Sequence, residues 1–232
     1  MRSLQVICQL WHFCFPALGW FLASASLGAA DPSDICDAAA RSAAQQTGVP
    51  VSVLYAISRT ETGRGSGNDL RPWPWTVNVE GEGRWFDSRS EALQWALERQ
   101  ATGSRSFDIG CFQINHRWHG EHFASVDAMF DPLENALYAA GFLSDLHREL
   151  GDWTKAAGAY HSRTEVYAAR YRRRFSAIRA ALPEGGPIAV GGDRPPTRLA
   201  RAQAEPRVNT YPLLRGSTSG ALGSLVPIES GG

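Results

Sequence analysis

The chain has no excess charge of either sign: 23 Lys and Arg against 23 Asp and Glu leave a formal net charge of zero. A nucleic-acid-binding surface shows as a clustered basic excess, so that partner class has no support here. Cysteine is scarce, and two of the four, Cys8 and Cys14, fall in the apolar N-terminal run. Several signatures are missing as well. No internal repeat is present, no small-residue-then-Cys junction of a lipoprotein closes the apolar run, and no nucleophile elbow surrounds Ser162. His116, His119 and His122 lie close together, yet the His-Glu-x-x-His pattern of metalloproteases is lacking and Gly120 interrupts any helix that would align them. They read as surface or packing histidines, so neither a metal nor another cofactor is expected.

What is present is an ordinary globular composition, 44% hydrophobic and 20% charged over 232 residues, enough for one well-buried domain with extensions. Arg2 followed by an apolar run to Leu22 and then small residues reads as a signal peptide over 1–30, cleaved after Ala25 or Ala30; an uncleaved membrane anchor is the other reading. Export places the mature chain in an oxidising compartment with two cysteines, Cys36 and Cys111, and hence one expected disulfide. A bridged Cys111 cannot serve as a thiol nucleophile paired with His161. From Pro183 onward aromatic residues almost vanish and glycine, proline, serine and arginine dominate, so 184–232 is expected to be a disordered tail behind a domain at 31–183.

Within that domain the expected elements are mostly helices. Asp34 to Gln46 is alanine-rich and stops at Gly48; Pro50 opens a second helix ending at Gly63. Trp75 to Val79 and Arg84 to Phe86, around Glu80-Gly81-Glu82-Gly83, form a β-hairpin pattern. Ser88 with Glu91 is a capping box, followed by an inward stripe of Ala92, Leu93, Ala96 and Leu97. Phe107 to Asn115 is a compact strand-or-turn stretch. Asp131-Pro132 opens a long helix with the stripe Leu133, Leu137, Ala140, Leu146 and Leu150, and further helices follow from Asp152 and Thr164. The last of these carries Arg170, Arg172, Arg173 and Arg174, a cluster that reads as a solvated face.

Glu61 occupies an odd address. Leu54 and Ile57 precede it by seven and four residues, one helical face, so the carboxyl group continues an inward stripe at the helix end. Burial and the negative end of the helix dipole both disfavour its ionised form, which would carry a reference pKa of about 4.3 toward roughly 6–7, the range of a general acid. Taken alone, a solvated glutamate on a fraying helix end explains the stretch equally well.

Three short stretches decide the matter together. Glu61-Thr62-Gly63, Gly110-Cys111-Phe112-Gln113-Ile114-Asn115 and Ala159-Tyr160-His161, with Asp131-Pro132 and Asn135 before the third, resemble in order the motifs of the soluble lytic transglycosylase family, goose-type-lysozyme-like enzymes of peptidoglycan. Thr62 keeps the usual hydroxyl, Cys111 and Phe112 replace Leu and Met as in a disulfide-bearing subgroup, and His161 replaces Asn. The resemblance implies a mainly α, lysozyme-like (α+β) fold with a small β-hairpin beside the cleft. It implies cleavage of the MurNAc-GlcNAc β-1,4 bond to a 1,6-anhydro product with Glu61 as single acid and base. Thr62, Gln113 and Tyr160 would then bind substrate, with Tyr160 able to hydrogen-bond the Glu61 carboxyl; the aromatic faces of Trp75 and Trp85, and of Trp73 and Trp118, are weaker candidates for sugar contact. The implied setting is the periplasm, with peptidoglycan glycan strands as partner, and the process served is cell-wall growth, recycling or clearing space for a secretion or flagellar assembly. A hydrolytic lysozyme would need a second carboxylate, from Glu80, Glu82, Asp87 or Asp108. A non-catalytic peptidoglycan-binding module is the third reading.

Overall fold

Asp31 turns its carboxylate onto the backbone N–H of Ser33 and Pro32 follows in the first turn, so helix α1 runs Pro32–Thr47 and ends on Gly48 in the left-handed region at φ 77°. The computed structural model describes residues 31–183 and 207–208; the expected signal peptide and the rest of the expected tail lie outside the described residues. Pro50 sits one position before α2, Val51–Thr62, as its cap residue. A two-residue turn, Glu80-Gly81, has positive φ at both positions (51° and 95°) and joins β1, Thr76–Val79, to β2, Glu82–Trp85. Ser88 then accepts from the Glu91 backbone N–H and starts α3, Arg89–Ala101. Next come β3 (Phe107–Ile109), β4 (Ile114–Asn115) and two single-turn helices, α4 (His116–His119) and α5 (Val126–Met129). The long helix α6, Pro132–Leu150, is capped by Asp131, and α7 (Trp153–His161) and α8 (Glu165–Ala181) complete the helical body.

The fold is mainly α with one small antiparallel sheet. Strand order is β4-β3-β1-β2-β5, where β5 is Arg207–Val208 pairing with Trp85 and Arg84 of β2. α2 lies against α1 and α8, α6 against α1 and α7, and α7 against α8. Among the described residues no helix is long and apolar enough to cross a membrane.

Two expected stripes hold in part. α3 buries Ala92, Trp95 and Ala96, while Leu97 is exposed and Leu93 half-buried. The Trp95 indole packs on Phe86 at 5.6 Å between ring centroids and removes more area from water than a leucine would, so the helix turns that way. On α6 Ala140 and Leu146 of the expected stripe are buried and Leu137 and Leu150 pack half-buried on the core, while Leu133 is exposed and Asn135, Ala136, Ala139 and Leu143 complete the inward face. Small residues face α1, and Asn135 is drawn inward by hydrogen bonds described below. The three clustered histidines all go to packing: His116 stacks on Phe107 at 4.5 Å, His119 Nδ1 lies 2.6 Å from the Tyr138 hydroxyl, and His122 tilts against the Tyr138 ring.

The Cys36–Cys111 disulfide is formed, with Cα atoms 5.6 Å apart and both residues buried. It ties α1 to the turn between β3 and β4 across 75 residues of sequence. Closing a loop of that length removes denatured-state entropy worth about 4–5 kcal/mol. Reduction, or paired Cys36→Ser and Cys111→Ser substitution, is therefore expected to lower unfolding free energy by about 3–5 kcal/mol in denaturant titration of the mature protein. Unchanged stability on reduction would remove the bridge from the account.

Candidate active site

Every residue from Val53 to Thr62 is buried, so α2 is an interior helix rather than an amphipathic one. Its polar side chains are each engaged. Ser58 donates to Tyr55 O, Thr60 to Ala56 O and Thr62 to Ser58 O, all within the helix. Arg59 makes a two-pronged pair with Asp37 of α1, at 2.8 and 2.9 Å. Glu61, only 4% exposed, accepts a hydrogen bond of 2.7 Å at Oε1 from the Tyr171 hydroxyl of α8. The solvated-glutamate alternative therefore fails. Tyr171 is itself fully buried, and burial, with the charge of Glu61 next in weight, raises its pKa well above 10. Its hydroxyl stays protonated and remains a donor to the carboxyl group.

Gly63 follows at an ordinary φ of −58°, so the left-handed stop is absent there. The position demands glycine for closeness instead: a Cβ would come within 2.3 Å of Arg59 O and 2.7 Å of the Leu70 side chain.

Thr62 joins three segments at the end of α2. Its hydroxyl accepts from the Trp73 backbone N–H at 3.1 Å and reaches Cys111 O at 3.4 Å, while its carbonyl accepts from Trp85 Nε1 at 3.1 Å. These contacts bring Trp73 and Trp85, both half-buried, beside the residue next to Glu61. Trp75 is half-buried and packs on the core. Trp118 lies on α4 with the Arg117 guanidinium 4.5 Å over its ring.

The Gly110 to Asn115 stretch is a wall that meets the end of α2 where Cys111 O faces the Thr62 hydroxyl. Gly110 has φ 80°, and a Cβ there would touch the Asn135 side chain at 3.0 Å. Asn135 repays that closeness, donating to Ile109 O (3.0 Å) and Met129 O (3.2 Å) while accepting from Phe112 N (3.0 Å). Gln113 is buried at φ 50°, a strained region for a non-glycine residue, and its amide donates to Thr76 O and Gly110 O. Asp108 accepts from the amides of Asn78 (2.8 Å) and Asn115 (2.7 Å), and Asn115 also caps α4.

The expected bond from Tyr160 to Glu61 is not formed. Tyr160 is fully buried and its hydroxyl donates to Phe112 O at 2.8 Å, so it braces the wall; the phenol on the carboxyl group belongs to Tyr171. Tyr171 was missed in the sequence because it sits among arginines. A signal exists in the spacing Ala168, Tyr171, Phe175, which are the buried residues of α8. Beside it, His161 stacks on the Tyr171 ring.

This constellation is a carboxyl group held at the end of an interior helix, with a phenol donor on one side and a loop fixed by buried amides on the other. Residues 96–176 match the family model of the transglycosylase SLT domain. Over those residues, about a third of its length, the chain is similar to that domain. Comparison with curated proteins and with solved structures gave no match. The matched residues include Gly110 to Asn115, Ala159 to His161 and Tyr171, while Glu61 precedes them in sequence. Glu61 is nevertheless fastened to that part by the Tyr171 bond, by Thr62 against Cys111, and by the disulfide from α1.

Asn135→Ala would strand Phe112 N, Ile109 O and Met129 O together. A loss of about 3 kcal/mol or more of unfolding free energy is expected from chemical denaturation, given roughly 1–3 kcal/mol for each stranded buried group. A loss below about 1 kcal/mol would show that the wall does not depend on this clamp.

Proposed function

We propose that the chain is an exported peptidoglycan lytic transglycosylase acting in the periplasm, with Glu61 as its single acid and base. Glu61 in its protonated form donates to the glycosidic oxygen between MurNAc and GlcNAc as that bond to C1 breaks. The resulting carboxylate then takes the proton from the C6 hydroxyl of the same MurNAc while O6 closes onto C1. The proton given to the leaving group is thereby replaced, no water is consumed, and a 1,6-anhydromuramoyl end results.

The observation that carries this reading is the Tyr171–Glu61 hydrogen bond in a buried setting. A binding module has no use for a carboxyl group whose desolvation is costly. A general acid does, because an acid kept from bulk water and held in one orientation transfers its proton without prior reorganisation. Tyr171 supplies the orientation.

Of the four carboxylates that a hydrolytic muramidase would recruit, two are paired and two are solvent-exposed. Glu82 is salt-bridged to Arg84, Glu80 forms the exposed hairpin turn, Asp87 is exposed, and Asp108 accepts from two amides inside the sheet. A glycosidase with two carboxyl groups needs the second one across the scissile bond, roughly 5–10 Å from the first. The single-carboxylate route has no such requirement. Trp73 and Trp85 lie beside Thr62 with the Arg64 guanidinium 4.2 Å over the Trp73 ring and 6.0 Å from that of Trp85, so Trp85 is the freer aromatic face for a sugar ring. Thr62, Gln113 and Tyr160 are better read as the frame that aligns that cleft than as groups touching sugar.

Purified sacculi incubated with the mature protein are expected to release muropeptides one water lighter than reducing-end products, read by mass spectrometry. Reducing ends would favour a muramidase, and unchanged sacculi a binding module. Glu61→Gln should lower release by about 10²–10⁴-fold while sacculus binding persists; retained turnover in that variant would take the acid role from Glu61.

A further inference from the structure

Tyr171 is held from two directions. Its hydroxyl meets Glu61, and its ring face meets the imidazole of His161 with centroids 4.7 Å apart and planes within 14°. His161 closes α7 and Tyr171 lies on α8, and the two helices approach closely at Gly158. A Cβ there would meet Arg172 Cγ at 2.7 Å and Ala168 O at 3.3 Å. That approach brings the imidazole flat against the phenol.

His161 makes no hydrogen bond that explains its place. Its Nδ1 is buried and without a partner among the described residues. Burial, with the positive charge of Arg170 second, pushes its pKa down to about 4, so the ring is neutral through the neutral pH range. A buried ring nitrogen left unpartnered is costly, and the compensating interaction visible at this side chain is the stack on Tyr171.

We propose that His161 is a positioning residue for the acid: its stack fixes the Tyr171 ring, and the fixed phenol holds the Glu61 carboxyl in its reacting orientation. The role needs a flat ring rather than a titrating nitrogen. Phenylalanine can therefore replace it and alanine cannot. The proposal rests on the reading of Glu61 as acid and base, and extends it to a residue outside hydrogen-bond contact with that carboxyl group.

Turnover of soluble glycan strands by wild type, His161→Ala, His161→Phe, Tyr171→Phe and the His161→Ala/Tyr171→Phe double variant tests it. His161→Ala is expected to lower kcat by about 10- to 100-fold with KM little changed, as small misplacements of a reacting group do. His161→Phe should recover most of that loss. In the Tyr171→Phe background the alanine change should cost no more than about threefold, because the hydroxyl it serves is gone. A wild-type kcat in His161→Ala, a loss in His161→Phe equal to that in His161→Ala, or a full penalty in the double variant would each overturn the proposal. A readout independent of turnover is the ring-flip rate of isotopically labelled Tyr171 by NMR, expected to rise in His161→Ala and to stay near wild type in His161→Phe. Equal rates in all three proteins would overturn it too. An inactive wild type with a ring rate that responds to His161→Ala would instead defeat the Glu61 reading, and with it the positioning role.

Discussion

The structure depends on burying α2 from every side. A helix with no solvent face must find a partner for each polar side chain it carries, because an unpaired buried polar group costs more than most single contacts return. Ser58, Thr60 and Thr62 turn back onto their own helix, and Arg59 and Glu61 reach outward to α1 and α8. The Arg59–Asp37 pair adds little net stability over an apolar pair of like volume, but a stranded partner would be a buried charge. It therefore fixes which faces of α1 and α2 meet. The Glu61–Tyr171 bond does the same for α2 and α8, and it leaves the carboxyl group at the one end of the helix where the chain turns away at Gly63.

From that arrangement the roles of the recurrent motif residues follow. Most of them build walls. Asn135, Gln113, Tyr160 and Asn115 spend their polar atoms on backbone groups or neighbouring side chains, and together they hold Gly110 to Asn115 against the end of α2. Buried amides and a phenol suit this work because each can satisfy carbonyls that a tight, strained loop cannot pair by itself. The family match over 96–176 thus covers Gly110 to Asn115 and Tyr171, and Glu61 reaches them from an earlier helix through contacts rather than through sequence. The disulfide at Cys111 fastens the middle of that wall to α1.

Local chemistry made much of this legible from the sequence. Asp131-Pro132, Ser88 with Glu91, and Gly48 mark helix ends by mechanisms confined to a few neighbouring residues, and the helices begin or stop there, while α1 starts at Pro32 rather than at the expected Asp34. Glu80-Gly81 between alternating residues gave the hairpin for the same reason. The buried faces were less legible, since Trp95 and Asn135 turn their helices for the sake of distant partners that periodicity cannot register. Gly63 reads in the sequence as a helix end, and the need for glycine there is a close approach set by Leu70 and Arg59. The site was half legible. Glu61 stood out by its address, yet its partner Tyr171 lies 110 residues away, and the nearer motif tyrosine, Tyr160, is committed to Phe112 O.

The central claim is that one carboxyl group performs both proton transfers and that a hydroxyl of the substrate, not water, closes on C1. Digestion of sacculi by the mature protein in heavy-oxygen water reads that choice at the bond itself. The account predicts new glycan ends free of the label, since the O6 oxygen of the sugar supplies the new bond. One heavy oxygen incorporated at each new end would contradict it, and would mean that water attacks and that a second group beside Glu61 activates it.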